Sequence, residues 1–169
     1  AGADPAYRAD QRLVGPCARS LGDEARLRLP ASQALHRLRP GAVTPDELGP
    51  HWRGGRVCLA LHVAVNGTRI GEPDGAAMDF HFGQIIAHAA RTRRLTAGTI
   101  SGSGTVSNPD RAAGSACLAE VRVIELLDHG APRTPYLRFG DRVTMEARLP
   151  GAGGGAPLFG RLDQRIVPA

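Results

Sequence analysis

A run of small and hydroxyl-bearing residues is the first place where this sequence could bind a ligand. Residues 96–108 read TAGTISGSGTVSN and consist almost entirely of Gly, Ser and Thr. Glycines such as Gly104 let a ligand approach the main chain closely, and the hydroxyls of Ser103 and Thr105 can donate to a carboxylate or carbonyl oxygen. The run predicts one wall of a binding site, and the alternative is a turn-rich loop without a ligand.

A carboxylate in an apolar context is the second candidate for chemistry. Glu120 lies in the stretch GSACLAEVRVIE, with apolar residues on both sides. A carboxylate in a confined space must be hydrogen-bonded, and it could orient a histidine or hold a proton. The alternative, with about equal weight on spacing alone, is a surface charge paired with an arginine.

Other kinds of site are disfavoured by the spacing of their residues. The chain contains no lysine, which excludes a P-loop, and Gly102-Ser103-Gly104 is followed by residues that favour a strand rather than a helix. The Gly-x-Ser-x-Gly elbow of a nucleophilic serine is absent. His81 and His88 are seven residues apart on a predicted helix, too far along it to chelate one metal ion, so a structural role is favoured for both.

Composition narrows the class of protein. The chain has 169 residues and a net charge of +5, but its arginines are scattered and only 4% of residues are aromatic. A nucleic-acid-binding face usually clusters basic residues and interleaves aromatic ones, so no nucleic-acid partner is expected. No apolar run is long enough to span a bilayer, so no membrane partner is expected either.

The three cysteines indicate the redox compartment. Cys17, Cys58 and Cys117 are dispersed and odd in number, which argues against a disulfide framework or a zinc site. We therefore expect a reducing, cytoplasmic location. Cys58 and Cys117 lie in strand-like apolar contexts and are predicted to be small core residues.

The elements that would position these residues become clear only after the first quarter of the chain. Prolines interrupt residues 1–39, which are predicted to form a divergent, irregular segment. Residues 40–169 are predicted to form one domain. Thr44, Pro45 and Glu47 predict a short helix that begins with a capping box.

From residue 57 onward the patterns favour a β-rich α+β fold. The stretch VCLALHVAV alternates and is followed by Asn66-Gly67, which predicts a hairpin. His62 is predicted on the opposite, surface side of that strand. Residues 79–92 predict an amphipathic helix. Four further strands are predicted at 98–107, 119–127, 142–149 and 158–167, with a flexible Gly-rich hairpin loop at 151–155.

The motifs in these segments resemble a known family. MDFHFGQIIAHAARTRRLTAGTISGSGTVSN, GSACLAEVRVIE, YLRFGDRVTME and FGRLDQRIVPA are similar to the C-terminal portion of the fumarylacetoacetate hydrolase family, in its bacterial fumarylacetoacetase branch. The stretch from AVTPDELG to NGTRIGEP continues the likeness upstream. It covers residues 40–169 in colinear order.

The resemblance implies a fold and an activity. The fold is a mixed β-sandwich roll with one or two short helices, and the protein is a homodimer. The activity is hydrolysis of a carbon–carbon bond in a 1,3-diketo acid such as fumarylacetoacetate, in aromatic amino-acid catabolism. The implied cofactor is Mg²⁺ or Ca²⁺ held by acidic residues. Thr105, with Ser103 and Gly104, matches the substrate-contacting motif, and Glu120 matches the glutamate that orients the catalytic histidine.

Several parts of the family pattern are missing from this sequence. No Glu-x-Glu pair or Asn-Asp segment, from which the family's metal ligands come, is present, and the catalytic histidine has no counterpart. The family's substrate-contacting lysine aligns with Gln33, and residues 1–30 do not resemble the family. The sequence therefore predicts half of an active site, without a metal bound by this chain alone. Two hypotheses remain: a hydrolase domain, or a truncated or non-catalytic homologue that keeps the fold for binding or assembly.

Overall fold

The computed structural model describes residues 42–150 and 158–168. Within these ranges the chain forms helices and antiparallel sheets, which confirms an α+β fold; the sandwich-roll type stays a prediction. The described residues include three α-helices, where one or two were expected: α1 (Pro45–Leu48), α2 (Phe82–Ala90) and α3 (Leu118–His129). The strands are β1 (Trp52–Arg53), β2 (Arg56–Val57), β3 (Leu61–Val65), β4 (Thr68–Gly71), β5 (Arg142–Ala147) and β6 (Leu162–Arg165).

Helix α1 begins as its sequence predicts. The Thr44 hydroxyl accepts from the Glu47 backbone N–H at 3.3 Å, and the Thr44 backbone N–H donates to Glu47 Oε2 at 2.7 Å. This reciprocal pair satisfies two N–H groups that a helix start leaves without partners. The hydrogen bond from the Thr44 backbone lowers the pKa of the Glu47 carboxyl.

The main sheet has the strand order β4-β3-β5-β6, with every neighbouring pair antiparallel. The predicted turn joins β3 to β4, with φ angles of 51° at Asn66 and 81° at Gly67. Two successive positive φ angles are the signature of the turn that matches the twist of a hairpin. The predictions of strands at 142–149 and 158–167 are confirmed in β5 and β6; the Gly-rich loop at 151–155 lies outside the described residues.

The prediction of one continuous strand from residue 57 is wrong. The strand β2 ends at Val57, and the chain bends through residues 58–60 before β3 begins. A 3-10 turn at Gly75–Ala77 packs into this bend, because the Gly75 N–H donates to the Leu59 carbonyl at 3.1 Å. A Cβ atom at Gly75 would lie 2.2 Å from the Val57 carbonyl oxygen, so only glycine fits there.

The predicted strand at 119–127 is also wrong, because these residues form helix α3. The β-branched residues of the stretch EVRVIE suggested a strand. The helix signal lay instead at the C-terminal end, where Gly130 adopts a left-handed φ of 76° and its N–H donates to the Leu126 carbonyl at 2.9 Å. Cys117, predicted to lie on a strand, is buried directly before α3.

The core lies between the sheet and helix α3. Leu118 of α3 packs with Val143 of β5, and Val65, opposite Val143 in the register, packs against them. The other members of this cluster are Ile70, Tyr136, Leu137, Met145 and Ile166. Leu118 is the buried residue of α3, and its burial in this cluster holds the start of the helix, which carries Glu120, against the sheet.

A close backbone contact joins β4 to the segment that precedes α3. Gly71 pairs with Gly114, and the Ser115 N–H donates to the Ile70 carbonyl at 3.3 Å. A Cβ atom at Gly71 would lie 2.2 Å from the Ser115 backbone nitrogen. These two backbone segments can therefore approach each other only because residue 71 has no side chain.

The start of β5 is joined to the β3–β4 turn through a carboxylate. Asp141 Oδ1 accepts from the Asn66 amide at 2.8 Å, and Oδ2 accepts from the Arg138 N–H at 2.7 Å. The Asn66 hydrogen bond, followed by that of Arg138, lowers the pKa of Asp141. Because the folded-state pKa is below that of the unfolded chain, this carboxylate stabilises the fold above its ordinary pKa and stops doing so as the pH falls through the lowered value.

We expect Gly71→Ala to lower the free energy of unfolding by about 2–3 kcal/mol, because the added methyl group meets backbone rather than a movable side chain. Urea unfolding measures the change. Gly102→Ala is the matched control, since a Cβ atom at Gly102 meets nothing within 4 Å. Equal stability of the two variants would contradict the close approach.

We expect Asp141→Asn to cost about 0.5–1 kcal/mol at neutral pH, since the site is partly exposed and screened by water. The difference from wild type should shrink at an acidic pH, because the stabilisation by this carboxylate, whose pKa is lowered, is lost as it protonates. Unfolding in urea at both pH values tests this, with the exposed Asp46→Asn as control. A difference that does not change with pH would contradict the role of the ionised carboxylate.

Candidate functional site

A cleft of about 730 Å³ lies between helix α2 and the small-residue run. Its lining comes from three segments of the chain. The turn before α2 contributes Ala77, Met78, Asp79 and Phe80; α2 contributes Gln84, Ile85 and His88; and the run contributes Gly102, Ser103, Thr105 and Ser107. One side of the cleft therefore combines apolar residues with Asp79, Gln84 and His88, and the other side is rich in hydroxyl groups.

The hydroxyl-bearing wall is not the strand that the sequence predicted. Residues 98–107 have no regular secondary structure, and left-handed φ angles at Gly98 and Gly104 bend the run away from a ladder. Ser103, Thr105 and Ser107 nevertheless recur at every second position, which brings all three into the lining. Gly104 is not part of the lining. The substrate-binding roles of Ser103, Gly104 and Thr105 stay predictions.

Glu120 lies in the first turn of α3, half-buried, and is connected to the cleft through a serine. Its Oε1 accepts a hydrogen bond from the hydroxyl of Ser107, and its Oε2 accepts one from the hydroxyl of Ser115. Its hydrogen-bond partners are thus two hydroxyls rather than the arginine of the alternative interpretation. Ser107 touches both the cleft and Glu120, so it links the predicted catalytic residue to the binding wall.

Ser115 is the fixed end of this link. It is 1% exposed, and its hydroxyl oxygen also accepts from the Cys117 N–H at 3.0 Å. The close contact between Gly71 and Gly114 holds the backbone at Ser115 against the sheet. Neither Ser107 nor Ser115 is predicted from the sequence; their signal is that both serines precede Glu120, by 13 and 5 residues.

The end of the small-residue run is tied to the opposite wall. The side-chain oxygen of Asn108 accepts from the Asp74 backbone N–H at 2.8 Å. Asp74 in turn caps the turn at Gly75–Ala77, because its carboxylate accepts from the Ala76 N–H at 2.7 Å. The two sides of the cleft therefore meet at Asn108.

An arginine behind the apolar wall holds its backbone. Arg56 donates from Nε to the Met78 carbonyl at 2.8 Å, and from its terminal nitrogens to the Asp79 carbonyl at 3.0 Å and the Gly54 carbonyl at 3.1 Å. A planar guanidinium with three carbonyl partners leaves the chain little freedom to shift. Arg56 thus fixes the wall from the side that faces away from the cleft.

The histidines have separate roles. His88 lines the cleft from α2. His81 instead caps α2: its Nδ1 accepts from the Gln84 N–H at 3.3 Å, and Gln84 Oε1 accepts from the His81 N–H at 3.0 Å. His62 lies on the sheet, with Nδ1 3.1 Å from the Glu72 carboxylate.

The described residues do not fit a divalent cation. Across 42–150 and 158–168, no three His, Cys, Asp or Glu side chains converge on a point where an ion could bind. Mg²⁺ and Ca²⁺ need several oxygen ligands, which one carboxylate such as Glu120 does not supply. In the same ranges, no helix is long and apolar enough to cross a membrane.

Comparison with known proteins gives one family. The sequence model of the fumarylacetoacetate (FAA) hydrolase C-terminal family matches residues 22–167. No curated protein matches the chain. The family match begins before residue 40, within the segment predicted to be divergent, and the predicted boundary stays a prediction. Because the match covers most of the sequence, the chain belongs to the fumarylacetoacetate hydrolase family through the C-terminal domain of that family.

Proposed function

We propose that this domain forms the substrate-binding wall of a hydrolase that cleaves a carbon–carbon bond in a 1,3-diketo acid of the fumarylacetoacetate type. Family membership supports the class of reaction. The observation that carries the proposal is the position of Ser107, which lines the cleft and donates to Glu120. A row of hydroxyl donors is thereby joined to a positioned carboxylate.

The proposed reaction is a hydrolysis. Water adds to the carbonyl carbon of the acyl group, and the bond from that carbon to the adjacent methylene breaks. The acyl group becomes a carboxylic acid. The methylene carbon keeps the electron pair of the broken bond and takes up a proton. In total one water is consumed, and an acid and a shorter keto acid are produced.

The described side chains suit binding and orientation in this reaction. The hydroxyls of Ser103 and Thr105 are donors for the keto and carboxylate oxygens of the substrate. In this proposal the carboxylate of Glu120, held by two serines, accepts an N–H from an imidazole and so orients a base. Positioning of this kind accounts for a large part of many enzymatic rate enhancements.

A second function is favoured by a specific observation. The family's chemistry uses Mg²⁺ or Ca²⁺, yet the described residues contain no cluster that fits such an ion. Hydroxyls and one carboxylate supply no positive charge for the carbanion that leaves. The chain would then bind the diketo acid without turnover, or act when paired with a complete subunit or a second copy.

Two measurements on the full chain test these functions. Loss of fumarylacetoacetate absorbance, with added Mg²⁺ or Ca²⁺ and then with a chelator, reports turnover; isothermal titration reports binding of the diketo acid and of each ion. We expect Thr105→Val to weaken binding about 2- to 12-fold through one lost hydrogen bond. Where turnover occurs, Glu120→Gln should lower it on the order of 10²-fold through lost positioning.

Ser101→Ala is the matched control, because Ser101 is exposed in the same run and is not part of the cleft lining. Turnover that depends on an added ion supports the hydrolase. Binding without turnover, and without stoichiometric uptake of either ion, supports the non-catalytic function. A chain that does not bind diketo acids, or that loses equal affinity in Thr105→Val and Ser101→Ala, contradicts the proposal.

A further inference from the structure

The side of the cleft that faces the hydroxyls carries an apolar patch beside the polar side chains of Gln84 and His88. Met78, Phe80 and Ile85 lie on it, next to the small side chain of Ala77. Asp79 is the one residue of this lining, within the part of the chain that the structure describes, that carries a permanent charge, and the charge is negative. A ligand in the cleft therefore meets hydroxyl groups on one side, and on the other side an apolar patch next to the polar side chains of α2.

We infer that the acyl group of the substrate is a hydrocarbon chain, so that the substrate is an acylacetoacetate with a single carboxylate. Fumarylacetoacetate, in contrast, carries a second carboxylate on its acyl group. This inference rests on the proposed function and specifies the substrate class of the same cleft.

Phe80 gives the first argument. Its side chain is 68% exposed, which is unusual for a large aromatic residue without a partner to cover it. It lies at the cleft together with Met78 and Ile85. A hydrocarbon acyl group placed there would remove its own surface and that of the ring from water, which is favourable in proportion to the area buried.

Arg56 gives the second argument. It is the arginine bound to the backbone of this wall, but its guanidinium donates to the carbonyls of Gly54, Met78 and Asp79, behind the lining. To reach a ligand carboxylate, it would have to give up three hydrogen bonds. A second carboxylate on the acyl group would thus lose its hydration against apolar side chains, near the negative charge of Asp79, with no cationic partner from this wall.

The donors of the cleft suffice for the acetoacetate end alone. Ser103 and Thr105 lie on one side, where the hydroxyl of Ser107 is already donated to Glu120, and Gln84 and His88 lie one helical turn apart on α2. These groups can serve one carboxylate and two keto oxygens. With the acetoacetate end at these donors, the acyl group lies against Met78, Phe80 and Ile85.

A matched pair of ligands tests the inference on the full chain. Pentanoylacetoacetate and succinylacetoacetate differ only in that an ethyl group replaces the second carboxylate. By isothermal titration, we expect the pentanoyl compound to bind at least about tenfold more tightly. Across acetyl-, butanoyl- and hexanoylacetoacetate, affinity should rise by up to about fourfold per methylene group.

Substitutions on adjacent residues of α2 give the control. Ile85→Arg places a cation in the lining and should reverse the preference toward succinylacetoacetate. Ile86→Arg, at a neighbour that is 45% exposed and outside the lining, should leave the preference unchanged. Asp79 and Phe80 are both exposed, so substitutions there leave the core intact. Asp79→Asn should improve the binding of succinylacetoacetate only. Phe80→Ala should reduce the gain in affinity per methylene group along the acyl series.

The outcomes separate this inference from the function on which it rests. If the wild-type chain binds succinylacetoacetate as tightly as pentanoylacetoacetate, or more tightly, the inference of an apolar acyl group is overturned. Binding of any of these ligands still supports the proposal that the cleft binds a diketo acid. Binding of none of them overturns the proposed function itself. The same effect of Ile85→Arg and Ile86→Arg would show that the lining does not select the acyl group.

Discussion

The candidate site depends on the hydrogen bonds of the Glu120 carboxylate. Its two oxygens accept hydrogen bonds from serines on two different segments of the chain. Ser115 is buried and fixed to the sheet through the approach of Gly71 to Gly114. Ser107 belongs to a run without regular secondary structure. Such a run gains no ladder of backbone hydrogen bonds, so its position must come from side chains. Glu120 therefore holds this wall of the cleft in position relative to the sheet and to α3.

The opposite wall follows the same rule. Arg56 holds the backbone of Met78 and Asp79, and Asn108 joins the end of the small-residue run to Asp74. The small-residue run and the turn before α2 are irregular in backbone, and hydrogen bonds that involve side chains hold both of them in place. Binding residues are commonly carried in this way, on loops that a packed scaffold positions. The arrangement leaves the side chains of the lining free to determine which ligand fits.

Local signals in the sequence predicted the elements that local chemistry controls. The turn at Asn66-Gly67, the capping box at Thr44 and helix α2 each depend on residues a few positions apart. Helix α3 was missed because β-branched residues such as Val121 and Val123 are common in strands, whereas the helix signal lay in its C-terminal end at Gly130. The link from Ser107 to Ser115 through Glu120 could not be predicted, since it requires the run, the helix and β4 to be assembled first. The family resemblance predicted a role for Glu120, but it did not predict the residues that hold its carboxylate.

The most direct test of this account is a double-mutant cycle on unfolding in urea, with Ser107→Ala and Glu120→Ala as the two changes. If Ser107 donates to Glu120 in solution, the two changes should be coupled by about 1 kcal/mol. A parallel cycle of Ser103→Ala with Glu120→Ala should show additive effects, because Ser103 lines the cleft without contacting Glu120. Additive effects in the Ser107 cycle as well would mean that Glu120 does not hold the wall, and the account of the site would be wrong.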